Sequence, residues 1–116
     1  MMLENWQKLA AGEIDIPLQD VPTAQRVEGA PRTGSVQLGK FGEAVVGVWE
    51  MTPGVMRDVE MDEILTVLSG AATVEFQDRG RITLEPGTIA RLQAGQHTIW
   101  TVTETLRKVY VLLPPR

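Results

Sequence analysis

The sequence predicts an all-β protein built as a small closed barrel, and three features carry that prediction. Strand and turn signals recur every eight to twelve residues from Ser35 onwards, the spacing of a sandwich or barrel. Two proline-glycine turns, Thr52-Pro53-Gly54 and Glu85-Pro86-Gly87, lie thirty-three residues apart and each leads into a strand. In each, proline presets φ and glycine supplies the positive φ of a type II turn. Between them, Glu63, Leu65 and Val67 share one strand face, and Ile64, Thr66 and Leu68 share the other. No helical period appears among these segments, which disfavours an α/β arrangement.

Taken in order, residues 2 to 11 place Leu3, Trp6 and Leu9 or Ala10 at helical spacing before Gly12. This predicts a short amphipathic helix or irregular arm, with Trp6 anchoring it on the barrel's outside or on a partner subunit. Ile14, Ile16 and Leu18 alternate with Asp15 and Pro17, a short edge strand, because proline cannot donate to a ladder. Asp20 to Gly34 is polar and broken by Pro22, Gly29, Pro31 and Gly34, and reads as a loop able to act as a lid. Further strands are expected at 35–41, 44–51, 63–68, 71–77, 81–84, 88–92, 96–106 and 107–113, eight or nine in all. The organisation is therefore one domain, with residues 1–34 as an arm and loop on a barrel of residues 35–116.

Composition limits function. Fifteen acidic against eleven basic residues give a net charge of −4, which argues against a nucleic-acid partner. The absence of cysteine removes disulfides, thiolate metal sites and cysteine nucleophiles. The N-terminus lacks a signal-peptide core and no run reaches the ~20 apolar residues of a membrane span. A cytoplasmic protein with no membrane partner is the expectation. The single histidine, His97, leaves no serine–histidine arrangement, since no serine lies in a nucleophile-elbow sequence.

The segments GVWEMTPG, DEILTVLSG, EPGTIARLQAG and HTIWTVTETLRKVYVL, with the spacings Glu63 to Gly70 and Gly87 to Gly95, resemble the two motifs of the cupin superfamily. More narrowly they look like the small single-domain cupins related to ureidoglycine aminohydrolase, over Gly47 to Leu113. The resemblance implies a cupin-type double-stranded β-helix, or jelly-roll barrel, usually dimeric, with a pocket at one end. Metal-binding cupins carry two histidines six and four positions before the glutamate, where this chain has Arg57 and Val59. Their second motif places a histidine where Thr98 stands, and His97 is one place off, which in a strand means the opposite face. Of the four expected ligands Glu63 remains, so no resident cofactor is expected. A divalent metal would need His97 turned inward by a bulge and Glu60 or Asp62 joining Glu63.

Alternation puts Thr98, Trp100 and Val102 on one face of the following strand, and Lys108, Tyr110 and Leu112 on one face of the last. If these faces turn inward with Glu63, the interior holds a carboxylate, an ammonium and a phenol against the indoles of Trp49 and Trp100. Three uses of that interior stand open: a structural ion pair in a barrel filled by its tryptophans, a small-molecule pocket, or an acid–base site of a hydrolase or isomerase using Glu63, Lys108 and Tyr110. Arg57 is the candidate carboxylate binder at the pocket mouth. The leading expectation is a pocket for a small polar nitrogenous ligand in a homodimeric cupin.

Overall fold

The architecture comes from a computed structural model, which describes Leu3 and residues 8–115; Trp6 lies outside the described residues. Among the described residues nine strands follow a single turn of 3-10 helix at Ala11–Glu13. They are β1 (Gln19–Asp20), β2 (Arg26–Glu28), β3 (Arg32–Phe41), β4 (Ala44–Met51), β5 (Gly54–Val59), β6 (Asp62–Phe76), β7 (Arg79–Leu84), β8 (Ile89–Leu92) and β9 (His97–Leu113). All pairings are antiparallel. Among the described residues, no helix is long and apolar enough to cross a membrane.

Two long strands form the spine. β9 pairs along one edge with β4 through its second half and with β5 through its first, and along the other edge with β6 throughout. β6 then carries β8 on its first half and β7 on its second. The result is one sheet curled on itself, consistent with the jelly-roll barrel expected from the sequence. Met51, Leu65, Val67 and Leu106 of one half pack against Met56, Val74, Phe76 and Val102 of the other.

The sequence suggests that Ser69-Gly70 ends a strand, yet the chain bends there and continues. The β6–β9 register shifts between Val67 and Ala72, and Gly70 takes φ 95°. A Cβ at Gly70 would collide with the Thr105 carbonyl, so the bend depends on glycine. The extra residue also switches parity: Glu63, Leu65 and Val67 are buried before the bulge, and Ala72, Val74 and Phe76 after it. β9 likewise runs unbroken where two strands are expected. The second proline-glycine turn has the predicted form, with Thr88 N–H bonded to the Glu85 carbonyl at 2.9 Å and Gly87 at φ 91°. At the first, Gly54 has φ 149°, more extended than a type II turn, and a Cβ would meet the Pro31 ring at 2.7–2.9 Å.

Two sequence expectations need correction before Gly34. Ile14 to Leu18 forms no ladder: Pro17 lacks a donor and its carbonyl lies where a Cβ of Gly34 would sit, while Ile16 is buried in a second cluster with Leu38 and Val48. That cluster lies outside the barrel, where Leu3, Leu9, Ala11 and Ile14 cover one face of the sheet. Leu3 N–H bonds the Leu38 carbonyl, and Arg107 donates to the Ala11 carbonyl at 3.1 Å. The stretch 20–34 contains β2, the end of β1 and the start of β3, and β2 pairs with β5. Buried Val21 donates to the Pro31 carbonyl at 3.1 Å. A free lid is therefore not what this segment builds.

Candidate functional site

The interior pocket opens between β5, the β5–β6 turn and the second half of β9. It is a cavity of about 240 Å³ bordered by Ser35, Trp49, Asp58, Glu60, Glu63, Trp100, Lys108 and Tyr110, with Val59, Met61 and Leu112 at its edge. Glu63 and Lys108, both on its lining, form an ion pair at 2.6 Å, with only 7% and 5% of each residue exposed. Neither charge would remain unpaired there without a cost of several kcal/mol. The Lys108 ammonium also lies 4.6 Å from the Trp49 ring centroid and 4.8 Å from that of Trp100, so two indole faces share its charge. The two rings are 5.4 Å apart and tilted by 58°. They wall the cavity and do not fill it.

Backbone geometry explains each placement. β4 pairs Trp49 with Lys108 and Gly47 with Tyr110. Gly47 is required, because a Cβ there would occupy the position of the Tyr110 hydroxyl. That hydroxyl shares a hydrogen bond of 2.8 Å with Ser35 Oγ on β3. Thr98 and Trp100 point inward from β9, and both donate to Glu60 Oε2, at 2.6 Å and 2.9 Å.

Asp58 is the pocket residue the sequence reading missed, and Glu60 entered it only as a conditional metal ligand beside Glu63. Parity on β5 runs inward through Gly54, Met56 and Asp58, so Arg57 and Val59 point out. The inward positions ahead of Glu63 are therefore Asp58 and Glu60, one place from those matched to the histidine pair. Glu60 lies in the turn after β5, where alternation gives no guidance. Its N–H bonds the Gln96 carbonyl and its carbonyl accepts from Gly95 N–H, both at 2.9 Å. The signal present was the density of acids in the run Asp58-x-Glu60-x-x-Glu63, which alternation alone does not place on one face.

The outer residues are equally clear. Arg57 is exposed and donates to the Ala24 carbonyl at 3.2 Å. His97 is exposed beside Val59, and both line a groove on the outside of the barrel with Arg57, Ile99 and Glu75. Asp62 pairs with Arg91 at 3.2 Å. Arg57 and His97 are thus not brought together with Glu63, and no bulge re-aims His97. Among the described residues no three histidine, aspartate or glutamate side chains are grouped to hold a metal ion. The Lys108 ammonium takes the position beside Glu63 that a metal would need, so these residues do not fit the cupin metal.

Burial raises the affinity of Asp58 for its proton, against the opposing pull of the Val59 N–H and Lys108. Burial does the same to Glu60, opposed by the Thr98 and Trp100 hydrogen bonds and reinforced by the charge of Asp58. A carboxyl that holds its proton more tightly folded than unfolded loses stability as pH rises from its ordinary value through its raised one. Glu60→Gln keeps the acceptor for Thr98 and Trp100 but cannot ionise. Chemical denaturation at a series of pH values should show parent and variant equally stable below the ordinary carboxylate range, and the variant more stable at neutral pH. A variant less stable at neutral pH would contradict this reading.

The model of the EutQ-like cupin domain matches residues 38–110, well over half of the chain. The chain belongs to the EutQ-like cupin domain family. Among solved structures, this cupin is similar to the Clostridium difficile EutQ protein, at 16% identity and TM-score 0.71, over 92% of this chain and 86% of that one. It is also similar to a cupin superfamily protein from Desulfitobacterium hafniense, at 14% identity and TM-score 0.64, over 98% and 95% of the two chains. A protein of unknown function from Pseudomonas syringae matches at 19% identity and TM-score 0.72, over 86% of the cupin and 45% of that longer chain. At these identities the likeness shows the fold. No match was found among curated proteins.

Proposed function

We propose that this EutQ-like cupin is a small-molecule-binding protein whose ligand occupies the interior pocket. The observation that carries the reading is the cavity of about 240 Å³ left open around a buried ion pair between two tryptophans. A buried salt bridge contributes little net stability compared with apolar residues of similar volume, so polar groups around an open space suit recognition better than folding. A cavity of this size limits the ligand to a small compound. Resemblance to ureidoglycine aminohydrolase points to a polar nitrogenous one.

A thermal-shift screen against ureido acids, amides, amines and small sugars tests this. A ligand at 100 times its Kd adds roughly 2.7 kcal/mol, or roughly ten degrees in Tm for a domain of this size. No shift with any class would sink the reading. One observation favours a second reading, a hydrolase or isomerase using Glu63, Lys108 and Tyr110: two carboxyls with raised proton affinity lie in the same cavity as a lysine. Turnover of a compound that binds would favour the enzyme.

A further inference from the structure

The charges in the pocket do not balance. Three carboxylates, Asp58 on β5, Glu60 in the following turn and Glu63 on β6, border the same cavity. Among the described residues Lys108 is the only cationic side chain that borders it, and its ammonium donates to Glu63 Oε2 at 2.6 Å. Tyr110, the remaining titratable neighbour, is engaged with Ser35.

The bonding of Glu60 gives a second, independent indication. Only 6% of the residue is exposed, yet both of its donors, Thr98 and Trp100, go to Oε2. No described residue donates to Oε1. Among the described residues no side-chain oxygen sealed from solvent lacks a partner, so Oε1 opens onto the cavity. A nearly buried carboxylate with one bound and one open oxygen is complementary to a donor group arriving from the pocket. Asp58 is half-buried beside it, and its carboxylate accepts, among described residues, only from the neighbouring Val59 N–H at 2.9 Å.

Resting on the small-molecule reading above, we propose that the ligand is a small organic cation, a primary ammonium or an amidinium-type group. Its N–H donors lie between the Asp58 carboxylate and Glu60 Oε1, and its carbon skeleton lies against Trp49, Met61 and Leu112. The incoming charge offsets one of the two carboxylates that Lys108 leaves uncompensated, and its hydrogen bonds take up the open oxygen.

Calorimetric titration with propylammonium, and with its near-isosteres propionamide and propionate, tests the assignment. Propylammonium should bind at least about tenfold more tightly than either, because charge-assisted bonds to the carboxylates are lost in the neutral and anionic probes. Asp58→Asn and Glu60→Gln should each weaken it by about tenfold or more, while leaving the fold intact. Binding of a cation expels the protons these acids retain, so affinity should rise as pH climbs from the ordinary carboxylate range through their raised values. Propionamide binding as tightly as the ammonium, affinity that falls with rising pH, or indifference to both substitutions would overturn the cation while leaving a ligand pocket in place. Saturation by magnesium or zinc ions in preference to the ammonium would likewise overturn it. If none of the probes and no compound of the wider screen binds, both the cation and the pocket reading fail.

Discussion

Replacing Lys108 by methionine is expected to lower folding stability by about 3–5 kcal/mol, the usual cost of leaving one member of a buried ion pair alone. Glu63 would then be a nearly buried carboxylate with its nearest compensating charge removed, and Asp58 and Glu60 would add repulsion in the same cavity. Denaturant unfolding measures the loss. The double variant Glu63→Leu/Lys108→Met separates charge from shape. It should recover most of the loss, since apolar residues of similar volume replace such pairs at little cost. A single variant as stable as the parent would mean that the pair is solvated and the interior is not the enclosed space described above.

The second large effect is expected at Trp100. Its side chain is fully buried, borders the interior cavity and donates to Glu60 at 2.9 Å. Trp100→Ala removes a ring from the contact between the two halves of the barrel, at about 3–5 kcal/mol. Trp100→Phe retains most of the ring but removes the N–H, leaving Glu60 Oε2 with the Thr98 hydroxyl alone. That variant should be destabilised much less, by about 1 kcal/mol, the worth of one hydrogen bond. Equal losses from the two would show that the bond to Glu60, and not packing, dominates at this position.

How far the sequence could be read depended on period-two alternation. Along β9 and the first half of β6, alternation is undisturbed over short spans, so the sequence groups Thr98 with Trp100 and Lys108 with Tyr110, and leaves open whether those faces turn inward with Glu63. The same rule could not show that β6 and β9 continue through their bends, because a bulge at Gly70 gives the same local pattern as a strand end followed by a new strand. It also failed at Glu60, whose position is set by backbone bonds to Gly95 and Gln96 in a turn, far away in sequence. Arg57 is expected at the pocket mouth as a carboxylate binder, and the structure turns it outward. Its true direction follows from Met56, an apolar neighbour that must face the core.

The pairing of Ser35 with Tyr110 was equally hidden, since it joins residues 75 apart in the chain through the β3–β4–β9 order. Sequence alternation says which face a residue occupies. Which strands lie opposite is settled by topology, and the glycines at 47 and 70 mark where that topology brings backbone and side chain too close for a Cβ.

The most direct test of a ligand-binding interior is to follow the indole N–H resonances of isotope-labelled protein during titration with the compound that gives the largest thermal shift. Assignment comes from Trp49→Phe and Trp100→Phe. Saturable movement of the Trp100 resonance, which reports the Glu60 hydrogen bond, together with that of Trp49, is the expected result. A compound that stabilises the protein while both indole resonances stay fixed would place its binding elsewhere and contradict the interior site.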